Sequence, residues 1–208
     1  MKRTMRISLI AAAIGTLFAA MLAVPAGASD PEAKATLRNA SGEVIGIAKV
    51  SQEDDGAHFK VTVWGVPAGF HGFHVHANGD DSATAGFGTG CDASNGFRSA
   101  DGHYKDSDSA HASHGTHNGD LPVMLVNGAT SGTYAESRFV TNLVSVSDLV
   151  ATSSHNARTL ILHAKPDNYG NVPIDATNGY TANGTAASST AATGDAGARI
   201  GCGLFAAA

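Results

Sequence analysis

The run His58-Phe59-Lys60-Val61-Thr62-Val63-Trp64 sets Phe59, Val61 and Val63 at every second position. That period puts the three on one face of a β-strand and their polar neighbours on the other. Residues 35–39 and 43–52 flank the turn-like Asn39-Ala40-Ser41-Gly42 and read as a hairpin. Further strands are expected at residues 72–77, 122–126, 133–141, 159–164 and 201–205. Beyond the N-terminal segment, no apolar stripe of helical period lasts longer than two turns. Many short strands joined by Gly- and Asn-containing turns predict an all-β sandwich or barrel.

Two long segments do not read as strands: residues 78–120, polar and rich in histidine, and residues 167–196, rich in Gly, Ala and Thr. Loops of this length inside a compact domain are commonly functional or disordered. The first carries candidate metal ligands and is expected to be ordered by them. The second contains a low-complexity run over residues 177–193, whose composition favours flexibility.

A chain of 208 residues has room for one domain of about 150 residues plus appended segments. Its formal net charge of -5 argues against a nucleic-acid partner. Lys2, Arg3 and Arg6 precede an apolar run over residues 7–24, and Ala26-Gly27-Ala28 offers a small-residue cleavage site. Residues 1–28 are therefore expected to be a signal peptide, residues 29–34 a short extension and residues 35–208 one domain. The alternative is an uncleaved membrane anchor, because the run approaches the roughly 20 residues that span a bilayer. Cleavage would make the protein secreted, periplasmic or a component of the cell envelope. Cys91 and Cys202 are the only cysteines, and in an exported protein they are expected to pair. Closing so long a loop stabilises the fold by about 4–5 kcal/mol on the chain-entropy treatment.

Ten histidines occur, and their spacing is more informative than their number. In His74-Val75-His76 the two imidazoles stand two residues apart on a strand, so both point to one face and can converge on one ion. His71 has the opposite parity and reads as structural. The first long loop supplies His103, His111, His114, His117 and Asp120, and His163 closes a later strand. A nitrogen-rich set with one carboxylate suits copper or zinc far better than calcium or magnesium, which prefer oxygen. The bland alternative is a His-rich loop that binds metal only adventitiously.

Gly72-Phe73-His74-Val75-His76, Gly79-Asp80, Gly102-His103-Tyr104, Gly119-Asp120-Leu121-Pro122, His163 with Asp167, and Gly194-Asp195-Ala196-Gly197-Ala198-Arg199-Ile200-Gly201-Cys202-Gly203 follow one another in order. This ordered set closely resembles the copper/zinc superoxide dismutases, in their secreted bacterial form, over roughly residues 35–205. The resemblance implies a Greek-key β-sandwich or barrel of immunoglobulin-like architecture, superoxide anion as substrate, copper and zinc as cofactors, and homodimerisation as one open assembly. It implies His74, His76, His103 and His163 as copper ligands, with His103 bridging to zinc, and His103, His111, His117 and Asp120 as zinc ligands. Asp167 resembles the outer carboxylate that hydrogen-bonds one ligand of each metal, here His74 and His111. Arg199 resembles the anion-guiding arginine of these enzymes.

The chain departs from the family pattern in three respects. His103 lies twelve positions after Cys91, more than the family spacing, and Lys105-Asp106 follows where Asn-Pro is frequent. His114 is a spare histidine. His111 is preferred over it as the middle zinc ligand, because three residues between ligands on a loop crowd His114 against His117. Over residues 168–193 the only charged residue is Asp175, in a loop that helps steer substrate in relatives. Two rival functions remain on the sequence: a secreted metal-sequestering protein on the same sandwich, and an adhesion domain, which leaves the histidines unexplained.

Overall fold

The computed structural model describes residues 32–79, 90–105, 117–129, 132–170, 190 and 193–208. Nine strands form one antiparallel sheet: β1 Glu32–Arg38, β2 Val44–Glu53, β3 Gly56–Trp64, β4 Gly69–His71, β5 Phe73–His76, β6 Met124–Ala129, β7 Gly132–Thr141, β8 Thr159–His163 and β9 Arg199–Ala207. Their order is β4-β6-β7-β3-β2-β1-β9-β8-β5. The two edge strands, β4 and β5, are separated in the chain by Gly72 alone, so the sheet curls until they adjoin at that residue without pairing. This nearly closed barrel removes most of the exposed edge an open sheet would present. β3 is followed by β4 three strands away, and β7 by β8 on the far side of β1, which makes the connectivity Greek-key.

The alternation seen in the sequence decides what faces inward. Along β3, Ala57, Phe59, Val61 and Val63 are buried and the residues between them are not. β1 repeats the pattern with Ala33, Ala35 and Leu37, and β5 contributes Phe73 and Val75. The same parity carries His74 and His76 to the outer face of β5, where loops cover them. Phe59 lies opposite Phe139 of β7 with ring centroids 5.0 Å apart. The short helix α1, Val146–Leu149, starts with a reciprocal cap between Ser145 and Asp148.

Boundaries differ from expectation where pairing overrides local pattern. β1 begins at Glu32 instead of residue 35, because Ala33 is buried and pairs with Ala207 of β9. The strand expected over residues 72–77 is two strands that turn at Gly72. β9 is longer than the expected 201–205, because pairing to β1 extends it to Ala207 and pairing to β8 extends it back to Arg199. The proposed signal peptide, His111, His114, Asp175 and nearly all of the low-complexity run lie outside the described residues.

Cys91 and Cys202 are joined, with Cα atoms 5.5 Å apart. The bridge ties β9 to two 3-10 turns, Ala93–Asn95 and Arg98–Ala100, and a second apolar cluster of Phe97, Ala100, Ile161 and Cys202 packs around it. With the two cysteines 111 positions apart, replacing both by serine is expected to lower the unfolding free energy by about 4 kcal/mol. Denaturant unfolding of the metal-free protein checks this, and an unchanged midpoint would count against a stabilising bridge.

Candidate metal centre

β5 is the last strand of the sheet, and its open edge is where the histidine loop docks. Tyr104 donates its N–H to the Val75 carbonyl at 2.9 Å, and Val75 donates to the Gly119 carbonyl at 2.9 Å. Ala77 donates to the Gly102 carbonyl at 2.9 Å. These bonds set His103 beside His76 and Asp120 beside His74 as isolated bridges. Gly119 is required here because a Cβ would stand 2.1 Å from the Val75 carbonyl oxygen.

His74, His76, His103 and His163 are all buried, and each offers a ligand atom within 4.8 Å of the others. One nitrogen of every ring is fixed by an oxygen acceptor. His74 Nε2 lies 2.6 Å from Asp167 Oδ2, His76 Nδ1 2.7 Å from the Asp101 carbonyl, His103 Nδ1 2.9 Å from Asp120 Oδ1 and His163 Nδ1 3.1 Å from the Gly197 carbonyl. The second nitrogens, His74 Nδ1, His76 Nε2, His103 Nε2 and His163 Nε2, are buried and make no hydrogen bond. A buried polar atom in that state is costly unless it ligates something. Burial pushes the His76 and His163 imidazoles well below their ordinary range, and the Arg199 charge adds to it at both. Neutral rings with a lone pair turned inward are what a soft or borderline metal such as copper needs.

A second group shares one member with the first. His103, His117 and Asp120 bring ligand atoms within 4.8 Å of one another, all buried. Asp120 Oδ1 lies 3.4 Å from His117 Nδ1, and its Oδ2 accepts from the His117 backbone N–H at 3.1 Å. Two nitrogens and a carboxylate match the ligand chemistry of zinc. His71 joins neither group among the described residues. Its ring nitrogens lie 2.7 Å and 2.9 Å from the carbonyl oxygens of His163 and Pro67, a structural placement.

Asp167 is held as firmly as the ring it orients. Its Oδ1 accepts the Tyr169 N–H at 2.6 Å, and Asn168 donates to the Gly194 carbonyl at 2.9 Å. Gly194 has φ +62, and a Cβ there would overlap Asp167 Oδ1 at 1.8 Å, so no other residue lets this loop close over the carboxylate.

Arg199 reaches the histidines through a β-bulge. The β8–β9 register pairs Leu162 with Gly201 but His163 with Arg199, skipping Ile200. The extra residue turns Arg199 to the side of His163 and His76. Its Nη1 donates to the Phe97 carbonyl at 2.6 Å and its Nη2 to the Asp101 carbonyl. Phe97 and Asp101 both have positive φ, 62° and 66°, an uncommon backbone for residues other than glycine that aims these carbonyls at the guanidinium. The segment between Cys91 and His103 thus builds the turns that seat the arginine. Sequence reasoning did not find Phe97 or Asp101, because they act through backbone oxygens and carry no side-chain signal.

These residues converge on chemistry that known proteins share. A model of the family described as copper/zinc superoxide dismutase (SODC) matches residues 44–205. The copper-zinc superoxide dismutase of Brucella abortus is 28% identical over 158 residues, which cover 74% of this chain and 84% of that one. Copper-zinc superoxide dismutase A of Xenopus laevis is 29% identical over 169 residues, 79% of this chain and 91% of that one. Among solved structures, the clock protein EA4 superposes with a TM-score of 0.59 at 26% identity, covering 86% of this chain and 96% of that one. A double mutant of a SOD-like protein from Bacillus subtilis shares the fold, with a TM-score of 0.54 at 23% identity over 82% of this chain and 95% of that one. Since the matched span runs from β2 through the histidine loop to β9, the chain belongs to the copper/zinc superoxide dismutase family and is an enzyme that disproportionates superoxide with copper and zinc as cofactors.

Proposed function

We propose that the chain removes superoxide outside the cytoplasm, with copper held by His74, His76, His103 and His163 and zinc held by His103, His111, His117 and Asp120. The observation that carries this assignment is the membership of His103 in both ligand groups. Its Nδ1 faces the Asp120 side, which leaves Nε2 for the other three histidines. When bound, copper supplies the electron exchange between Cu(II) and Cu(I), while zinc, which has no redox change, fixes a shared ligand.

The remaining work falls to the chain. Two superoxide ions and two protons give one dioxygen and one hydrogen peroxide. Arg199, already anchored by two carbonyls, presents a fixed cation and a planar donor fork to a small anion arriving at the histidines. His103 Nε2 is the atom that can hold one proton and pass it to the product, with the second proton coming from solvent. Asp120 keeps the ring in place during that transfer, and Asp167 does the same for His74.

Export is supported by the disulfide, which persists in oxidising compartments, and by the N-terminal pattern of charge, apolar run and small residues. Protein recovered from outside the cytoplasm should begin near Ser29 and, loaded with one copper and one zinc, should quench superoxide catalytically. Stoichiometric quenching by a fully loaded sample would favour sequestration.

We also propose a homodimer, with a second copy of the chain covering the outer face of β4, β6 and β7. Phe70 and Leu125 lie opposite each other there, and Tyr134 continues the stripe next to Asn127, all three about half exposed or more. Such a stripe on one face is typical of an interface. Sedimentation should give a dimer that Phe70→Asp converts to a folded monomer, and a monomeric wild type would overturn the assembly.

A further inference from the structure

The cross-strand register assembles a line of cations that the sequence scatters. Lys34 on β1 pairs with Lys49 on β2, Lys49 with Lys60 on β3, and Lys60 with Arg138 on β7. Directly paired residues share a face, so all four side chains leave the barrel on its outer surface. Lys34, Lys49 and Arg138 are exposed and Lys60 is half-buried. With strands about 4.8 Å apart, the row spans roughly 14 Å. It takes four of the chain's 13 lysines and arginines, in a chain whose net charge is -5.

Such a row is unfavourable by itself, since like charges directly opposite on neighbouring strands repel. Glu136 relieves one end, 3.5 Å from Lys60 Nζ, and the Arg138 Nε–Glu136 Oε1 distance is 2.8 Å. Among the described residues, neither Lys34 nor Lys49 makes an ion pair. The row runs along an open groove of about 550 Å³ that Glu32 and Glu53 also line. Metal ligands lie elsewhere: β5 and β8 are separated from β1 by β9, and the loops over them cover a different side of the barrel.

The shape of the charge selects the partner. On one side the neighbouring row is Glu32, Ser51, His58 and Val140, and on the other Thr36, Ile47, Thr62 and Glu136. Neither contains a second lysine or arginine, so the cationic surface is one residue wide. A lipid headgroup layer or duplex nucleic acid presents charge over a broader area. Single-stranded nucleic acid is gripped by exposed aromatic platforms, whereas in this groove Phe59 is buried and Phe139 partly buried beneath the row. We propose that the row Lys34-Lys49-Lys60-Arg138 binds a linear acidic polysaccharide bearing one carboxylate per sugar, and so tethers the enzyme to a polymer of its surroundings while the metal site stays open.

The test uses the mature, metal-loaded protein and polygalacturonate, with dextran as the neutral control and poly-dT and anionic phospholipid vesicles as competing polyanions. Binding measured by calorimetry at low ionic strength should be selective for polygalacturonate and should weaken as salt rises. Lys34→Glu/Lys49→Glu should weaken it by about tenfold or more, the factor that two exposed ion pairs supply. Lys34→Gln/Lys49→Gln should weaken it less, and both variants should keep the wild-type dismutation rate. Lys49→Glu alone should also raise the unfolding midpoint, since it turns two repulsive pairs into attractive ones. Absence of binding to polygalacturonate, equal affinity in the reversed and wild-type proteins, or tighter binding to poly-dT or vesicles would each overturn the assignment.

Discussion

Replacing His103 by alanine should reduce superoxide dismutation by about 100-fold or more, the range associated with losing a positioned proton donor together with a ligand. The variant should remain folded. His103 belongs to neither apolar cluster, and the segment that carries it is docked on β5 by backbone hydrogen bonds that an alanine preserves. Asp120 would lose its 2.9 Å partner but would keep the His117 backbone N–H. Copper should still be held by His74, His76 and His163, whereas the second group is left with two described ligands and should release zinc more readily. Elemental analysis, circular dichroism and activity on the same sample separate these effects. In the wild type, adding zinc should shift the visible absorption of bound copper, and in His103→Ala the shift should vanish. Full activity in the variant would exclude the bridging role.

The barrel was legible where burial and period agree. Phe59, Val61 and Val63 alternate in the sequence and are buried in the structure, and the His74-Val75-His76 parity separates two outward imidazoles from an inward valine. The ordered motifs name His103, Asp120 and His163, which the structure brings into the two ligand groups, Asp167, which it sets 2.6 Å from His74 Nε2, and Arg199, which it seats on the Phe97 and Asp101 carbonyls. What the sequence hides is register. Nothing local announces that β8 and β9 slip by one residue at Ile200, or that Lys34, Lys49, Lys60 and Arg138 share one line. The positive-φ backbone at Phe97 and Asp101 is equally hidden, since neither residue is a glycine and the tertiary contacts with Arg199 compensate. The choice of His111 over His114 is also a question of register, set by a loop outside the described residues.

Arg199→Glu should lower the bimolecular rate with superoxide by on the order of 100-fold and reverse its dependence on ionic strength, at unchanged copper and zinc content. The guanidinium stands close enough to His76 and His163 to depress the protonation of both rings, so its field is felt where the anion must arrive. Burial lowers its own pKa from the ordinary arginine value, and the free-chain value is high enough that it stays charged at physiological pH. A fixed cation attracts superoxide over about a Debye length, near 10 Å at 0.1 M salt, so the wild-type rate should fall as salt is added. A carboxylate at the same place repels the anion, and salt should then raise the rate. Arg199→Lys should retain the attraction and lose part of the rate, because an ammonium cannot hold the Phe97 and Asp101 carbonyls and still present a planar fork to the anion. Between residues 168 and 193 the only charged residue is Asp175, so that stretch of sequence adds no cation to the steering. Rates and salt slopes that match between wild type and Arg199→Glu, at equal metal content, would remove the guiding role.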